Sequence, residues 1–442
     1  MDKRILIIGA GPAGLGAGLA LHDLGYENWK IYEKEDYVGG LSASFKDEKG
    51  FTWDLGGHVL FSNNEAFNTI FERIMDGEYI EHEREAWIRY KGSWVPYPFQ
   101  NNLKYLPLRE QLSCLTGLVR ARFRSGRRLS ANFEEWLINT FGKGICSAFM
   151  LPYNRKIWCY PLDKMGYQWI TQRVSVPSSW RLAKNLALRK DDIDWGPNNT
   201  FKFPLKEGTG NIFKRMAEKI MVNIEFRKEV IAIRAGQKEI TISGGKEDRY
   251  DLLVNTMPLD ELICALDEKS AALSNAAKGL KSNQVTVVGV GIEKPNPATR
   301  CWMYFPDPAV PFYRVTNFSH YSPFNVPGGK VHKFSSLICE TSHMGDRRED
   351  EIAEMTLASL LSEGFLEKGE EPLSIFIKTL PKAYPIPTKD RDSRLSSIQT
   401  YLINNDIYSI GRFGTWKYEI GNMDHAVTMG YMLCKKLVNE LG

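Results

Sequence analysis

The first residues with a chemical task are Gly9-Ala10-Gly11-Pro12-Ala13-Gly14, a GxGxxG run. Gly9 permits a tight turn, Gly11 lets a pyrophosphate approach the backbone, and Gly14 lets the following helix pack closely on the preceding strand. The helix N-terminus then offers free N–H groups and the positive end of its dipole to phosphate. Glu33 lies 24 residues beyond Gly9, where a carboxylate accepts ribose hydroxyls. Farther along, Arg, Tyr, Trp, Asn and Gly crowd into short stretches at 54–62, 94–102, 150–158, 195–198, 301–306, 311–314 and 411–422. Guanidinium groups fork onto phosphate oxygens, aromatic rings cover the face of a base, and amides meet its edge. Singly, a Trp or Tyr is core filling, His58 a structural histidine and Arg173 a solvated surface group. Together and in order, they suggest a site.

The elements that must position these residues are legible around the glycines. Ile5–Ile8 is a continuous apolar run, suited to a strand buried on both faces. Residues 15–24 read as a helix ending at Gly25, and Trp29–Tyr32 as a second strand running into Glu33. Strand, helix, strand and acid together predict a Rossmann-like α/β dinucleotide-binding domain. Gly39-Gly40-Leu41-Ser42-Ala43 resembles the second glycine signature of the flavin amine oxidases and phytoene desaturases, where the chain passes close to the cofactor. This resemblance implies FAD rather than NAD, the glutathione-reductase type of fold, and Gly40 and Leu41 at the cofactor. By the same resemblance, residues 229–233 form the strand that touches adenine through Val230, 250–258 the strand that returns to the sheet, and 407–411 its last strand, followed by a helix over 426–441.

The cofactor domain is then expected from 1–75, 205–285 and 400–442. A helical substrate domain is expected over 105–195, with 111–124 and 133–149 as helices. A mixed β-sheet substrate domain is expected from 76–104 plus 285–400, with strands at 284–292 and 333–340 and a helix at 350–363.

In the polar and aromatic stretches the sequence resembles the UDP-galactopyranose mutase family, the eukaryotic-type branch more than the short bacterial one, from about residue 4 to about 430. The resemblance implies a flavin-dependent isomerase that interconverts UDP-galactopyranose and UDP-galactofuranose. FAD is active when reduced, its N5 bonding to the sugar as UDP leaves, and NAD(P)H is a candidate reductant. His58 and Gly57 would lie beside the flavin ring, with Arg412 close to it. Arg173 and Arg314 match the arginines that grip the diphosphate, and Tyr321, Tyr384 and Tyr418 match its tyrosine partners. Tyr97, Phe99, Gln100, Asn154 and Trp158 match the uridine pocket. Trp302, Tyr304 and Asn422 match positions near the sugar, and Asn198 belongs to a substrate-binding loop. Three departures stand out: Asn63 where a second histidine is usual, Ala86 where a serine is expected near the nicotinamide, and Asp194 in place of an asparagine.

Composition excludes several classes. A net charge of +4 on 442 residues gives no case for nucleic acid. The seven cysteines are scattered without a CxxC pair, so neither a disulfide framework nor a metal site is expected, and a reducing cytoplasm fits. No apolar run of about 20 residues occurs, so no membrane partner is expected. The charged and apolar start resembles a secretory leader in outline, but its glycine spacing is accounted for by the phosphate turn. The rival readings are an FAD-dependent oxidase or desaturase of the amine oxidase superfamily, a mutase for another nucleotide sugar, and a nucleotide-sensing module with structural FAD.

Overall fold

The computed structural model describes residues 3–124, 129–170, 191 and 199–441. Its first layer is a parallel five-stranded sheet in the order Ile407–Ser409, Leu252–Asn255, Ile5–Ile8, Trp29–Tyr32, Ile224–Glu225. Ile5–Ile8 is at its centre and buried throughout, as its unbroken apolar run demands. Three separated pieces of chain thus share one sheet. The antiparallel strands Val230–Arg234, Glu239–Ile242 and Glu247–Arg249 form a small sheet beside it.

The first helix spans Pro12–Asp23, three residues earlier than its apolar pattern suggested, because Pro12 is pre-set for the first helical turn. It lies against the C-terminal helix Met423–Leu441. A Cβ on Gly16 would sit 2.2 Å from the Val427 carbonyl oxygen, and one on Gly430 would sit 2.0 Å from that of Ala13. The two helices therefore meet backbone to backbone, which only glycine at these points allows.

The second layer is a mixed seven-stranded sheet in the order Ser374–Ile386, Lys281–Ile292, Ser335–His343, Arg314–Asn317, Trp302–Tyr304, Ala86–Tyr90, Ser93–Pro96. Only the Trp302–Tyr304/Ala86–Tyr90 pair is parallel. Gly289 and Gly291 leave a flat strip on which Trp53 and Phe51 rest; a Cβ would come within 2.4 Å of the Trp53 ring and 2.7 Å of the Phe51 ring. These rings stack on each other at 5.6 Å and bring the short strand Thr52–Asp54 onto the large sheet. Ser374–Ile386 is a 13-residue strand that sequence periodicity did not reveal, since Pro381 and Pro385 interrupt it. An edge position and a register shift between Asn283 and Val285 accommodate those prolines.

Helices Leu108–Arg124 and Phe133–Ile145 pack on each other. The second is not one uniform rod reaching residue 149: Gly142 has φ 75°, opposite the Gly117 backbone, and a π-type turn over Cys146–Met150 leads into helix Leu151–Trp158. Among the described residues no helix is long and apolar enough to cross a membrane.

Gly430→Val should destabilise the fold by at least ~1–3 kcal/mol, since backbone rather than a movable side chain occupies the space. A thermal midpoint equal to that of the unsubstituted protein would contradict this packing.

Candidate functional site

Gly9, Glu33 and Thr256 follow directly on the carboxyl ends of neighbouring parallel strands, where ligands of open α/β sheets bind. Gly9 has φ 95° and donates its N–H to the Tyr32 carbonyl (2.8 Å). A Cβ on Gly14 would lie 1.9 Å from the Gly9 carbonyl oxygen, so the helix can start this close to the turn only with glycine there. Above Gly11 there is open space: an added Cβ would meet nothing within 4 Å. Gly40 lies close beside Gly11, a Cβ on it coming 3.5 Å from the Gly11 Cα, and the Gly39 N–H bonds the Ala10 carbonyl (2.9 Å), so the two glycine segments form one cradle. Leu41 lies in the short 3₁₀ turn Gly40–Ser42. Glu33 is buried and accepts the N–H groups of Ala10 (2.6 Å) and Glu35 (2.9 Å). Its pKa is raised, chiefly by burial. Val230 is buried in the small sheet. Open space over Gly11, converging glycines and a held carboxylate fit a dinucleotide.

A second cluster surrounds the Gly56-Gly57-His58 loop. Gly56 has φ 138°, and a Cβ there would stand 3.0 Å from Glu340 Oε1. A Cβ on Gly57 would stand 2.2 Å from Thr316 Oγ1 and 3.0 Å from Trp302 Nε1. Glu340 was not singled out from sequence. It pairs in register with Arg314 on the adjacent strand, and accepts Arg314 Nη2 (2.7 Å), Arg314 Nε, Tyr313 Oη (2.9 Å) and the Gly57 N–H (3.2 Å). Burial pushes its carboxyl up, but the Arg314 guanidinium outweighs this and holds it below the usual carboxylate value. Tyr313 Oη in turn bonds Tyr384 Oη at 3.0 Å. The strand Ser335–His343 that carries it is buried almost throughout, where an unpaired carboxylate is too costly to bury.

His58 Nδ1 is buried without a partner, as are Trp302 Nε1, Thr316 Oγ1 and Tyr321 Oη. The first three stand at one glycine loop, where such groups call for a polar ligand. Burial lowers the His58 pKa to about 4, with Arg412 and Arg314 adding to the effect and Glu340 opposing it, so the imidazole is neutral near pH 7.

Aromatic rings complete the site. Trp158, Tyr384 and Tyr418 gather with centroids 5.1–6.2 Å apart. Asn154, one helical turn before Trp158, accepts its indole N–H (3.3 Å). Tyr304 contacts Tyr97 at 5.5 Å and Tyr153 at 5.3 Å; Tyr153 stacks on Phe149, and Phe149 on Phe99. Phe99 and Gln100 are buried in this wall. Arg314 lies over the Trp302 ring (5.4 Å), and so does Arg84 (4.5 Å), a cation that sequence reading did not assign to the substrate site. Arg412 reaches the Gly421 and Ala383 carbonyls and lies 5.8 Å from the Tyr384 ring.

The structure thus brings His58, Arg314, Trp302, Tyr384, Tyr418, Trp158 and Arg412 into one neighbourhood through Glu340 and the ring contacts. Tyr321 is fully buried against Phe201 and Phe203, its hydroxyl facing inward. Asn422 is exposed just before the C-terminal helix. Arg173 and Asn198, with the departure Asp194, lie outside the described residues. A cavity of about 560 Å³, lined by Tyr90, Glu110, Cys114, Ser147, Pro152 and Asp307, contains none of the residues given a catalytic, substrate or cofactor role from sequence. Among the described residues no His, Cys, Asp and Glu group could hold a metal.

The profile of the flavin-containing amine oxidoreductases matches residues 12–367, so the chain belongs to that family. A putative protoporphyrinogen oxidase from Exiguobacterium sp. 255-15 has the same fold over all of this chain and 99% of its own, with TM-score 0.75 and 15% identity. The zeta-carotene desaturase of Capsicum annuum is 39% identical over 72 residues, 16% of this chain; the match spans 11% of the desaturase. A solved structure of reduced UDP-galactopyranose mutase is 38% identical, with TM-score 0.95, and the alignment covers 100% of this chain and 94% of that one. Within the flavin family, the chain is therefore a member of the UDP-galactopyranose mutases.

Glu340→Ala should cost ~3–5 kcal/mol, because it leaves the Arg314 charge buried without its counter-ion. A thermal or urea midpoint within error of the unsubstituted protein would contradict that account. Asp54, just before the loop, is fully buried and accepts Ser44 Oγ and the Thr209 N–H (3.2 Å); burial raises its pKa to about 7. A carboxyl whose pKa rises on folding favours the fold below its unfolded pKa of ~3.9, and that contribution is lost as pH climbs through the folded value. Stability should therefore decline between about pH 4 and 7 in the unsubstituted protein, and Asp54→Asn should flatten that decline in urea titrations.

Proposed function

We propose that the chain is a flavin-dependent isomerase of the UDP-galactopyranose/UDP-galactofuranose pair, an intramolecular transferase. The observation that carries this reading is a largely buried arginine, Arg314, anchored beside the Gly56–His58 loop and bordered by Trp302, Tyr384, Tyr418 and Trp158. A carotenoid desaturase needs an apolar tunnel at this place. A fixed guanidinium with tyrosine hydroxyls and indole rings suits a nucleotide diphosphate carrying a sugar.

Reduced FAD, when bound, supplies the nucleophile through N5, with no net oxidation of the sugar. The protein's part is to bind, orient and exclude water. Arg314 is held by Glu340 through Nε and Nη2, which aims the remaining guanidinium edge at the diphosphate. Arg173 is the second diphosphate cation. Tyr384 and Tyr418 offer hydroxyls to the same oxygens, so that UDP stays in place after it leaves the sugar. Trp158, Asn154, Tyr97, Phe99 and Gln100 hold uridine, and Trp302, Tyr304 and Asn422 border the sugar. Neutral His58 brings its loop to the flavin without adding a charge. In this reading the parallel-sheet pieces carry FAD, the helical and mixed-sheet pieces carry UDP-sugar, and the protein works in the cytoplasm with NAD(P)H as a candidate reductant.

The test is to reduce the purified flavoprotein with dithionite under nitrogen, add UDP-galactofuranose, and separate the products. Conversion to UDP-galactopyranose is expected with reduced protein and not with oxidised protein. Arg314→Ala should weaken UDP binding by ~2–5 kcal/mol. UDP binding without conversion points to another nucleotide sugar. Absence of UDP binding, with oxygen consumption on an apolar substrate, overturns the reading in favour of an oxidase.

A further inference from the structure

Helix Leu108–Arg124 turns an apolar stripe to solvent. Leu108 is 75% exposed, Leu112 63%, Val119 44% and Phe123 82%. At ~100° per residue these four fall within about 60° of the helix circumference, so they form one continuous line. The opposite face is spoken for: Cys114, Leu118 and Ala121 are buried, and the Gly117 backbone packs against Gly142 and Gly144. Exposure of the stripe is therefore not a side effect of a misfitted core, because the helix already has its core-facing side.

Charge decides what can cover the stripe. Exposed Arg109 and Arg120 border one edge and exposed Arg122 the other. From Leu108 to Leu129 the sequence has six arginines and one acid, Glu110, a net of +5 (6 − 1), whereas the whole chain carries +4. Glu110 is already engaged by Lys91 and Tyr90. A second copy packed stripe to stripe would set arginine edges against arginine edges. A surface of anionic headgroups over acyl chains complements both features, since the Leu and Phe side chains enter the acyl boundary while the guanidiniums meet lipid phosphates.

We propose that this helix docks the protein, lying flat, on an anionic lipid surface. The helix does not span: it is amphipathic, and a surface-bound helix needs only one apolar face. The sequence-based expectation of no membrane partner rested on the lack of a spanning segment, which a surface-lying helix does not require.

The test is co-flotation of the full-length, flavin-loaded protein with phosphatidylcholine vesicles, with and without phosphatidylglycerol. Flotation with the anionic vesicles alone, reversed by added salt, is expected. Leu112→Ser with Phe123→Ser, and separately Arg109→Glu with Arg120→Glu, should each lower the bound fraction at least about tenfold while flavin content and thermal midpoint stay unchanged. Absence of flotation with anionic vesicles overturns the proposal, and so does flotation that neither double variant changes. A dimer in sedimentation that Leu112→Ser with Phe123→Ser splits, with no vesicle binding, would instead make the stripe a contact between copies.

Discussion

One buried carboxylate ties the site together. Glu340 and Arg314 are both largely withdrawn from water, which costs several kcal/mol per ion unless the geometry repays it. Here it does, because both carboxylate oxygens are used: Oε1 accepts Tyr313 Oη and Arg314 Nη2, and Oε2 accepts Arg314 Nε and the Gly57 N–H. The same four bonds join two adjacent strands of the large sheet to the Gly56–His58 loop. Any side chain on Gly56 or Gly57 would strike Glu340, Thr316 or Trp302, so the glycines and the ion pair require each other.

Glycines set the close approaches in both layers. Gly9, Gly11, Gly14 and Gly40 open a cradle at the strand ends. Gly289 and Gly291 seat Trp53 and Phe51, and the chain leaving Thr52–Asp54 becomes the Gly56–His58 loop. A line of contacts thus runs from the large sheet through the Phe51–Trp53 stack to the loop, and from the loop through Glu340 back to the same sheet. Such a closed circuit gives the loop a defined place beside the proposed substrate arginine.

Its electrostatics are divided by sign and by burial. His58 is neutral because much of its ring is withdrawn from water and two arginines stand near. Glu340 is ionised because Arg314 lies against it. Positive charge remains concentrated in arginines, whose planar fork is suited to phosphate. Fixed cations, a neutral histidine and aromatic walls are what the proposed diphosphate ligand beside a flavin would call for.

Residues close in sequence were legible in advance. The glycine spacing, the apolar run Ile5–Ile8 and the acid at Glu33 are local consequences of turn, strand and helix geometry, so the dinucleotide fold could be read directly. The ordered polar and aromatic stretches carried the family resemblance. Glu340 could not be read in this way, because its partner Arg314 is 26 residues away and their meeting depends on strand register. Strand Ser374–Ile386 was hidden because its prolines are tolerable only at a sheet edge, and edge position is a property of the assembled sheet. The break at Gly142 was hidden because it answers to the opposing Gly117 backbone. Sequence by itself determined the residue types and the local elements that bind phosphate; tertiary structure decided which buried charges face each other, since burial and register arise only when distant segments pack.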